Sequence, residues 1–448
     1  MAAEAQRQRR RVVVVGGGFG GLELARKLRR ADVEVTLVDR MNHHLFQPLL
    51  YQVATGGLAS GECAYPIRVA LRRGANTRVL MAEATDVDVE NRQVVLDRGE
   101  RVDYDSLVLA CGARTSYFGR DEWSEVSYGL KTLADAISLR NGFYEALEQA
   151  ERTTDPEERR EWMTFVVVGG GPTGVEVAGQ VAIILKLAMK HEYREIDARD
   201  SRIILLNAGD RLVPAFGGNL CEKVANELNS LEVTIREQAR ATAIDAHGVT
   251  VETADGSERI PARTVIWAAG VQAEGLASAL AKAAGATTDR AGRVQVNPDL
   301  TLPGHPEISV IGDCSLLDGP DGKPLPGLAT VAIQQARHVA KAIAAGAPGA
   351  STPFRYFDKG ILAVVGRGRA VCEIRGHRLS GRLAFMTYLT VHLYYLGGAP
   401  GHRLKVLLDW IASRLGFRQN QVIEGTLPNP DAQEAGGGQR AVGAASGG

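Results

Sequence analysis

The stretch VVVVGGGFGG, at residues 12–21, decides the fold of this 448-residue chain. The valine run is typical of a strand that is buried on both faces, and an amphipathic helical pattern follows it. Gly16, Gly18 and Gly21 have the spacing that lets a backbone turn tightly, approach a pyrophosphate and pack a helix on a strand. A second predicted strand ends at Asp39, 18 residues beyond Gly21 and near the ~20 expected for a ribose-binding acid. These features predict a βαβ unit with a dinucleotide site, rather than a glycine-rich turn without function.

The same arrangement returns in the stretch FVVVGGGPTG, at residues 165–174. Gly169, Gly171 and Gly174 repeat the spacing, so the sequence predicts two dinucleotide sites. The strand after this second loop ends in Asn207, where the first ends in an acid. A carboxylate at that point binds the ribose 2′-hydroxyl and repels a 2′-phosphate, and Asn does neither strongly. NADH is therefore favoured as the nicotinamide cofactor, and NADPH stays open as an alternative.

The composition limits the possible classes of function. Lys and Arg together number 52, as do Asp and Glu, and the resulting zero net charge argues against a nucleic-acid partner. Five scattered cysteines without a CxxC pair are typical of reduced thiols in a cytosolic protein.

The basic N-terminus lacks the apolar region of a secretory signal. No run reaches the ~18–20 apolar residues of a spanning helix, so proton pumping is not expected, although binding to a membrane surface is compatible with the sequence.

Two further strands carry the signature of a flavoprotein superfamily. ISVIGD at residues 308–313 and SLVLACG at residues 106–112 are apolar runs that end at or near glycine. Both resemble signatures of the two-dinucleotide-binding flavoproteins. The resemblance implies that the Asp313 carboxylate holds the ribityl chain of FAD, that the first glycine loop holds the FAD pyrophosphate, and that the second loop takes the nicotinamide cofactor. Asp313 can also cap a helix N-terminus, and the two roles can coexist.

NHHLFQPLLYQVA, at residues 42–54, distinguishes between members of that superfamily. Disulfide reductases carry a cysteine pair near this position and the stretch has none, so thiol chemistry there is excluded. Cys111 and Cys314 lie in nucleotide-loop contexts, which gives little support to a sulfide:quinone oxidoreductase. The stretch is instead very similar to the type II NADH dehydrogenases. Three more stretches agree: GGGPTGVE at 169–176, GLATVAIQ at 327–334 and FRYFDKG at 354–360.

That resemblance covers roughly residues 12–424 and implies an enzyme that passes electrons from NADH through FAD to a membrane quinone without pumping protons. The residues implied to bind the cofactors are Gly16, Gly18, Gly20, Gly21, Asp39, Gln47, Ala84, Gly112, Asp313, Gly169, Gly171, Gly174, Asn207 and Gly270. The residues implied to surround the quinone are Gln47, Ala329, Thr330, Gln334, Lys359 and Leu362. The residues implied to take part in catalysis are Glu176, Lys359 and Gln334. No metal site is expected, because the neighbouring histidines lack a third ligand at suitable spacing.

One residue of the quinone set departs from the family pattern. The family segment is Ala-Gln-x-x-x-Gln, and this chain has Thr330 in place of the first Gln. A Thr hydroxyl can still donate one hydrogen bond to a quinone carbonyl, but it reaches less far than an amide. The departure leaves both the geometry of quinone binding and the type of quinone open.

Glu176 and Lys359 each have two interpretations. Glu176 lies in the first turn of the second nucleotide helix, where the helix N-terminus stabilises a carboxylate. It either has this structural role alone or acts between nicotinamide and flavin, by orienting the carboxamide or by relaying protons to the reduced quinone. Lys359 either lies near the quinone or is a solvated lysine of a surface loop.

The segment at residues 355–427 differs in character from the rest of the chain. From residue 355 to residue 424 it has eleven Lys and Arg against four Asp and Glu, a net charge of +7. Residues 383–396 are mostly apolar but too short to span a bilayer. Residues 403–417 predict an amphipathic helix, whose apolar face is formed by Leu404, Leu407, Leu408, Ile411 and Leu415. These features favour a membrane-associated helical segment that binds anionic lipid, peripherally and on the cytoplasmic side of the cell membrane. Packing on the core or a homodimer interface is the alternative.

The predicted fold class is α/β, with two Rossmann-like dinucleotide-binding domains followed by the C-terminal segment. The predicted boundaries are residues 1–118 and 286–354 for the FAD domain, 119–285 for the NAD(P)H domain, 355–427 for the C-terminal segment and 428–448 for a disordered tail. Two other functions stay open. One is a soluble NAD(P)H-dependent flavin reductase for a protein or small-molecule acceptor, and the other is a non-catalytic redox sensor that binds FAD and NADH.

Overall fold

The computed structural model of the protein describes residues 9–189, 192–346, 352–366, 368–396, 400–414 and 422–424. Strands and short helices alternate in the first part of the chain. They are β1 (Arg10–Val15), α1 (Phe19–Leu28), β2 (Val33–Asp39), β3 (His43–Leu45), α2 (Leu50–Ala54), α3 (Ser60–Cys63), β4 (Ala64–Pro66), α4 (Ile67–Leu71), β5 (Thr77–Met81), β6 (Ala84–Asp88), β7 (Gln93–Leu96), β8 (Arg101–Asp103), β9 (Ser106–Leu109) and β10 (Ala113–Thr115).

Longer helices open the middle part of the chain, and a second set of strands follows. The elements are α5 (Leu133–Arg152), α6 (Pro156–Trp162), β11 (Thr164–Val168), α7 (Pro172–Ala182), β12 (Arg202–Leu206), α8 (Asn219–Ser230), β13 (Val233–Arg236), β14 (Arg240–Asp245), β15 (Gly248–Thr253), β16 (Gly256–Pro261), β17 (Thr264–Trp267), β18 (Val271–Ala273) and α9 (Gly275–Ala283).

The last part of the chain adds short strands to the first part and then builds a sheet of its own. The elements are β19 (Val294–Gln295), β20 (Thr301–Leu302), β21 (His305–Val310), β22 (Ser315–Leu316), α10 (Ala329–Ala344), β23 (Ile361–Gly366), β24 (Arg369–Ile374), β25 (His377–Ser380), α11 (Gly381–Tyr395) and α12 (Pro400–Arg414).

The first large sheet carries the first glycine loop. Its strand order is β20-β21-β9-β1-β2-β5, and every pairing except β20 with β21 is parallel. Strand β1 has neighbours on both sides, with Val14 beside Leu37 of β2 and beside Val108 of β9. The valines of β1 are almost fully buried, as their β-branched run predicts. The direction of chain progression reverses at β1, so the carboxyl ends of β1 and β9 form the crevice in which open α/β sheets bind nucleotides.

The second large sheet repeats this design with the order β13-β12-β11-β17, all parallel. Strand β11 takes the place of β1, since β12 lies on one side of it and β17 on the other. The antiparallel sheet β14-β15-β16 packs beside it. The prediction of an α/β fold with two Rossmann-type sheets is confirmed.

The C-terminal segment was predicted to be helical, and this prediction is wrong for residues 361–366 and 369–380. These residues form the antiparallel sheet β23-β24-β25. Strand β23 lies so close to α7 that a Cβ atom on Gly179 would come within 2.2 Å of the Val365 carbonyl oxygen. The strand is covered by α7 and packs against α11 as well. Its apolar run ILAVVG therefore belongs to the core and not to a lipid-facing helix.

Helices α11 and α12 complete the segment. Neither they nor any other helix in the described ranges is long and apolar enough to cross a bilayer. Residues 415–417 of the predicted amphipathic helix and the predicted tail at 428–448 lie outside the described residues.

Candidate functional site

The first glycine loop is fixed by close backbone contacts. Gly16 has a φ of +105°, and a Cβ atom at Gly21 would lie 1.8 Å from the Gly16 carbonyl oxygen, so neither position accepts a larger residue. A Cβ atom at Gly18 would meet no atom within 4 Å, and no side chain caps α1 there. The free N–H groups of α1 therefore face open space, which suits a pyrophosphate. Gly20 packs near the Ile311 side chain.

The side chains of Asp39 and His44 make hydrogen bonds to this loop. Asp39 Oδ2 accepts a hydrogen bond from the backbone N–H of Gly17 at 2.5 Å, and Oδ1 accepts one from that of Met41 at 2.7 Å. Burial raises the pKa of Asp39, although both hydrogen bonds oppose the shift. His44 donates from Nδ1 to the Gly17 carbonyl at 2.9 Å, and burial lowers the pKa of His44 to about 4, so the ring is neutral. Its role is a structural hydrogen bond.

The second glycine loop reproduces the geometry of the first. Gly169 has a φ of +122°, and a Cβ atom at Gly174 would again lie 1.8 Å from its carbonyl oxygen. Gly171, like Gly18, has open space where a Cβ atom would be and no capping side chain. Asn207 follows β12 and donates from its amide to the carbonyls of Gly209 and Arg211 at 3.2 and 3.0 Å.

Gly270 and Gly112 lie in the turns that follow β17 and β9. A Cβ atom at Gly270 would come within 2.5 Å of the Phe118 ring, and the Gly270 carbonyl accepts from the Ser116 N–H at 3.1 Å. Gly112 has a φ of +76°, in the left-handed region. Ala84 begins β6, just beyond Ala82, whose N–H donates to the Asp39 carbonyl.

Lys131, which the sequence analysis did not identify, joins two predicted cofactor residues. Its ammonium lies 3.4 Å from Asp313 Oδ2, and its carbonyl accepts from Gln47 Nε2 at 3.2 Å. Gln335, also missed, accepts the Gly312 N–H at 2.6 Å and so holds the turn that carries Asp313. All three contacts join residues more than twenty positions apart, so no local pattern could have found them.

Glu176 was predicted in the first turn of the second nucleotide helix, but it is the fifth residue of α7 and so lies just beyond that turn. It accepts the backbone N–H of Val364, on β23, at 3.3 Å. Glu176 as a residue is half-buried, and its carboxyl is the desolvated part. The loss of solvation raises the pKa of Glu176 to about 8, and the hydrogen bond from Val364 opposes the shift only weakly. No Lys, Arg or His of the described ranges makes an ion pair with it. Glu176 is therefore a carboxyl group that holds a proton near neutral pH.

Buried phenols lie near Glu176. The hydroxyls of Tyr51 and Tyr388 are 3.1 Å apart, and Gln52 Nε2 donates to the Tyr51 hydroxyl at 3.0 Å. Burial, followed by the nearby Glu176 carboxyl, raises the pKa of Tyr51. Trp410 of α12 donates to Gln52 Oε1 at 2.8 Å. This network, which the sequence analysis missed, links the last helix to the surroundings of Glu176.

The predicted quinone residues lie on three elements: α10, the loop after residue 352, and β23. Thr330, beside Ala329 in the first turn of α10, shares a hydrogen bond of 3.1 Å with the Tyr356 hydroxyl. Gln334 uses both ends of its amide on the backbone of Phe357, at 3.0 and 3.1 Å. Leu362 lies on β23, two residues before the Val364 N–H that Glu176 accepts. These contacts hold the loop against α10.

Lys359 contacts helix α11. Its ammonium donates to the Tyr395 hydroxyl of α11 at 2.7 Å and lies 5.4 Å from the centre of that ring. The lysine is exposed, but it is not simply a solvated loop residue, because it ties the loop to α11. Among the described residues, no group of three His, Cys, Asp or Glu is placed to hold a metal ion.

Comparison with known proteins is consistent with this geometry. Residues 10–336 match the family described as pyridine nucleotide-disulphide oxidoreductase. The type II NADH:quinone oxidoreductase Ndh of Mycobacterium tuberculosis is 44% identical over 93% of this chain and 90% of its own length. NdhA of the same organism is 42% identical over 92% of this chain and 89% of its own. The structure of NDH2 from Plasmodium falciparum in complex with NADH superposes with a TM-score of 0.83 at 21% identity, covering 92% of this chain and 99% of that one. At that identity the superposition shows the shared fold.

Proposed function

The chain belongs to the type II NADH:quinone oxidoreductases within the pyridine nucleotide-disulphide oxidoreductase family, and on this premise we propose which residues bind the cofactors, supply the proton and face the membrane. The enzyme transfers electrons from NADH through FAD to a quinone. FAD, when bound, supplies the group that takes hydride from NADH and returns two electrons to the quinone. One observation carries the assignment: two glycine loops of the same geometry, each at the crevice of its own parallel sheet.

The first loop and its neighbours hold FAD in this proposal. The pyrophosphate lies on the N-terminus of α1 at Gly18, and the ribityl chain lies at Asp313, which Lys131 and the turn at Gly312 hold in place. Gln47 fits the flavin end, because its amide is bonded to the backbone of Lys131. Gly20, Ala84 and Gly112 contribute backbone atoms to the rest of this FAD site.

The second loop holds NADH. The N-terminus of α7 at Gly171 faces open space and suits the pyrophosphate, while Asn207 suits the ribose. Gly270, at the end of β17, lies at the same edge of the sheet as the Gly169 turn, so it fits the nicotinamide half of the cofactor.

Glu176 supplies a proton to the reduced quinone. Oxidation of NADH by a quinone consumes one proton from solution, because hydride carries only one of the two hydrogens of the quinol. A carboxyl with a pKa of about 8 is protonated at neutral pH and can release its proton. This is the property that a proton donor needs, and the helix N-terminus alone does not explain it, since that environment favours the ionised form.

The quinone lies where α10, the loop at residues 354–360 and β23 meet. Thr330 and Tyr356 offer hydroxyl groups there. Because the Tyr356 hydroxyl also donates to Asp358 Oδ1 at 3.5 Å, a quinone carbonyl would have to take over one of these two donors. Gln334 acts by holding this loop on α10, since its amide is occupied by the backbone of Phe357. Lys359 holds the same loop on α11.

Anaerobic mixing tests the function. The FAD-loaded protein is mixed with NADH, and a quinone in liposomes follows. Loss of the flavin absorbance with NADH and rapid recovery with quinone are expected. Recovery with soluble acceptors but not with quinone would instead favour the soluble reductase, and no bleaching at all would favour the redox sensor.

The apolar faces of α11 and α12 bind an anionic membrane surface in this proposal. Leu404, Leu408 and Ile411 recur at helical spacing on α12 and are each about half exposed, and Leu383, Met386 and Tyr394 are exposed on α11. The segment has a net charge of +7, which favours anionic lipid. NADH is produced in the cytoplasm, so the enzyme lies on the cytoplasmic side. A homodimer formed through this surface is the other arrangement.

Flotation of the full-length, FAD-loaded enzyme with vesicles tests the surface. We expect binding to vesicles with anionic lipid and at least about tenfold less binding when Leu404 and Leu408 are both changed to Asp. Val69→Asp, on α4, removes an equally exposed apolar side chain and is the matched control. A double variant that binds vesicles normally but changes from dimer to monomer would contradict the lipid assignment and favour the homodimer.

The domain division follows from the same reasoning. Residues 1–118 and 286–354 contribute the strands of the first large sheet and α10, and residues 119–285 contribute the second sheet. The described part of residues 355–427 is the third unit of this proposal, in which a small sheet packs on the nucleotide helix α7 and carries α11, while α12 contacts α3.

A further inference from the structure

The described residues Val422, Ile423 and Glu424, which we call the clasp, meet helix α5 through Glu424. Asn141 of α5 holds the backbone of Glu424 with both ends of its amide. Its Nδ2 donates to the Glu424 carbonyl at 2.7 Å, and its Oδ1 accepts the Glu424 N–H at 3.1 Å. A side chain that pairs with both backbone groups of one residue fixes the direction of the chain as well as its position.

The Glu424 carboxylate is also the counter-charge of a buried cation. The side chain of Arg140, on α5, is 2% exposed, and its Nη2 lies 2.9 Å from Glu424 Oε1. Within the described ranges Arg140 makes no other ion pair, and a buried guanidinium needs an opposite charge. The Glu424 side chain is half exposed and the contact is not a directed hydrogen bond, so the clasp depends on the Asn141 bonds as well. Ile423 packs against the core.

Helix α12 precedes the clasp and is held on the core by few groups. Its Val406 is buried, its Lys405 lies 2.8 Å from Glu62 Oε1 of α3, and its Trp410 Nε1 donates to Gln52 Oε1 at 2.8 Å. A helix of 15 residues is stable mainly through the surfaces on which it packs. The position of α12 therefore depends strongly on what fastens its two ends.

The clasp closes a ring of contacts around α2. On one side of α2, the Tyr144 hydroxyl of α5 donates to the Thr55 carbonyl at 3.2 Å, directly after the end of α2. On the other side, Trp410 of α12 bonds to Gln52 of α2. Residues 415–421 connect α12 to the clasp, and the clasp returns the chain to α5.

This ring reaches the groups that we assign to quinone reduction. Gln52 donates to the hydroxyl of Tyr51, one of the two buried phenols near Glu176. We propose that Glu424 is a positioning residue for quinone reduction, because the clasp keeps α12, and with it Trp410, in place on Gln52. This inference rests on the proposed role of Glu176 as the proton donor. Glu424 acts at a distance, through α12.

The test separates two rates in the FAD-loaded enzyme: bleaching of the flavin by NADH, and recovery with a water-soluble, short-chain quinone added without vesicles. Glu424→Ala should slow the recovery with quinone about tenfold and leave bleaching by NADH within about twofold. Recovery with ferricyanide, which takes electrons without a proton, should not change. Glu424→Asp keeps the carboxylate and should keep the quinone rate within about threefold of that of the unchanged enzyme.

Two shortened chains control for the loss of the tail. A chain that ends after residue 427 keeps Glu424 and should behave as the full-length enzyme does, whereas one that ends after residue 421 should behave as Glu424→Ala does. Hydrogen exchange of the α12 backbone should be at least about threefold faster in the two forms without the Glu424 carboxylate.

An unchanged quinone rate in Glu424→Ala, or unchanged hydrogen exchange of α12, would overturn the proposal. Equal slowing with quinone and with ferricyanide would also overturn it, because Glu424 would then only stabilise the fold. Failure of the proposed function is distinct from these outcomes, since the unchanged enzyme itself would then be bleached by NADH and not recover with quinone.

Discussion

Glu23 and Glu176 occupy the same position in the two nucleotide units, two residues after the last glycine of each loop, and their carboxyl groups meet opposite environments. Glu23 accepts from Arg337 of α10 at 2.6 Å and lies 4.0 Å from Lys27. Within the described ranges, Glu176 makes no ion pair and accepts a hydrogen bond from the Val364 N–H, and the desolvation of its carboxyl raises the pKa of Glu176 to about 8. What packs on each helix makes the difference, because α10 brings a cation to α1 and β23 brings apolar residues to α7.

Asp39, at the end of β2, and Asn207, directly after β12, also differ in their hydrogen bonds. Asp39 uses both carboxylate oxygens on backbone N–H groups of its own unit, whereas Asn207 uses its N–H groups on backbone carbonyls and keeps its oxygen free. The glycine geometry is common to both units, so we expect it to bind a pyrophosphate in each. The side chains around the glycines differ, and this difference leads us to propose a structural role for Asp39 in the first unit and a proton-donating role for Glu176 in the second.

The largest effect is expected from Gly21→Ala and Gly174→Ala, which break the shared geometry one unit at a time. Each new Cβ atom would lie 1.8 Å from a carbonyl oxygen, and a backbone atom cannot move away without distorting the loop. Gly21→Ala should give protein that lacks FAD. Gly174→Ala should keep FAD but lose bleaching by NADH by at least about 100-fold. The ratio of flavin to protein absorbance and anaerobic titration measure the two outcomes.

Gly275→Ala is the control for this pair, since a Cβ atom at the start of α9 meets nothing within 4 Å. It should keep both FAD and the response to NADH. Loss of FAD from Gly174→Ala with retention by Gly21→Ala would reverse the assignment of cofactors to the two loops.

Both glycine loops could be predicted because their signals are local. Strand, glycines and helix are adjacent in sequence, and the valine run that precedes each loop predicts a buried strand. The environment of Glu176 could not be predicted, because Val364 is 188 residues away and belongs to a strand in a segment predicted to be helical. The contacts of Tyr51 with Tyr388 and of Lys131 with Asp313 join residues 337 and 182 positions apart, so neither leaves a periodic signal.

Glu176→Gln is expected to have the next largest effect, on the reduction of quinone. The unchanged enzyme should lose rate as the pH rises above about 8, because Glu176 then becomes ionised and has no proton to donate. Glu176→Gln should be slower by about 100-fold at pH 7 and should lose this pH dependence. Stopped-flow recovery of the flavin absorbance after addition of quinone measures it. Glu23→Gln, at the matching position, should keep the rate and its pH profile. If both variants behave alike, Glu176 is not the proton donor.

Asp39→Asn places an Asn at the end of β2, where the second unit has Asn207 after β12. It should have an intermediate effect on the affinity for FAD. The new amide can still accept one backbone N–H, but its NH2 group would face the other, so one hydrogen bond is replaced by a repulsive contact. We expect FAD to bind about tenfold more weakly. Recovery of flavin fluorescence on dilution measures the change. Unchanged retention of FAD would show that Asp39 does not support the loop.

The smallest expected effect is that of Glu176→Gln on thermal stability. Because Tm does not depend on quinone reduction, it reports the burial of Glu176 independently of a catalytic role. The pKa of Glu176 is raised from 4.5 to about 8 in the folded protein, so the folded state binds the proton more tightly than the unfolded state does. Its contribution to stability is complete below pH 4.5 and is lost as the pH rises through about 8. Glu176→Gln cannot ionise, so its Tm should rise relative to that of the unchanged enzyme, by about 2–5 °C between pH 5 and pH 9. Circular dichroism of the FAD-loaded proteins measures this difference.

Glu23→Gln removes an exposed ion pair and should change the free energy of unfolding by less than ~1 kcal/mol at every pH. Melting curves of Glu176→Gln that stay parallel to those of the unchanged enzyme would mean that Glu176 ionises at its ordinary pKa, and the two units would then not differ in the chemistry of this position.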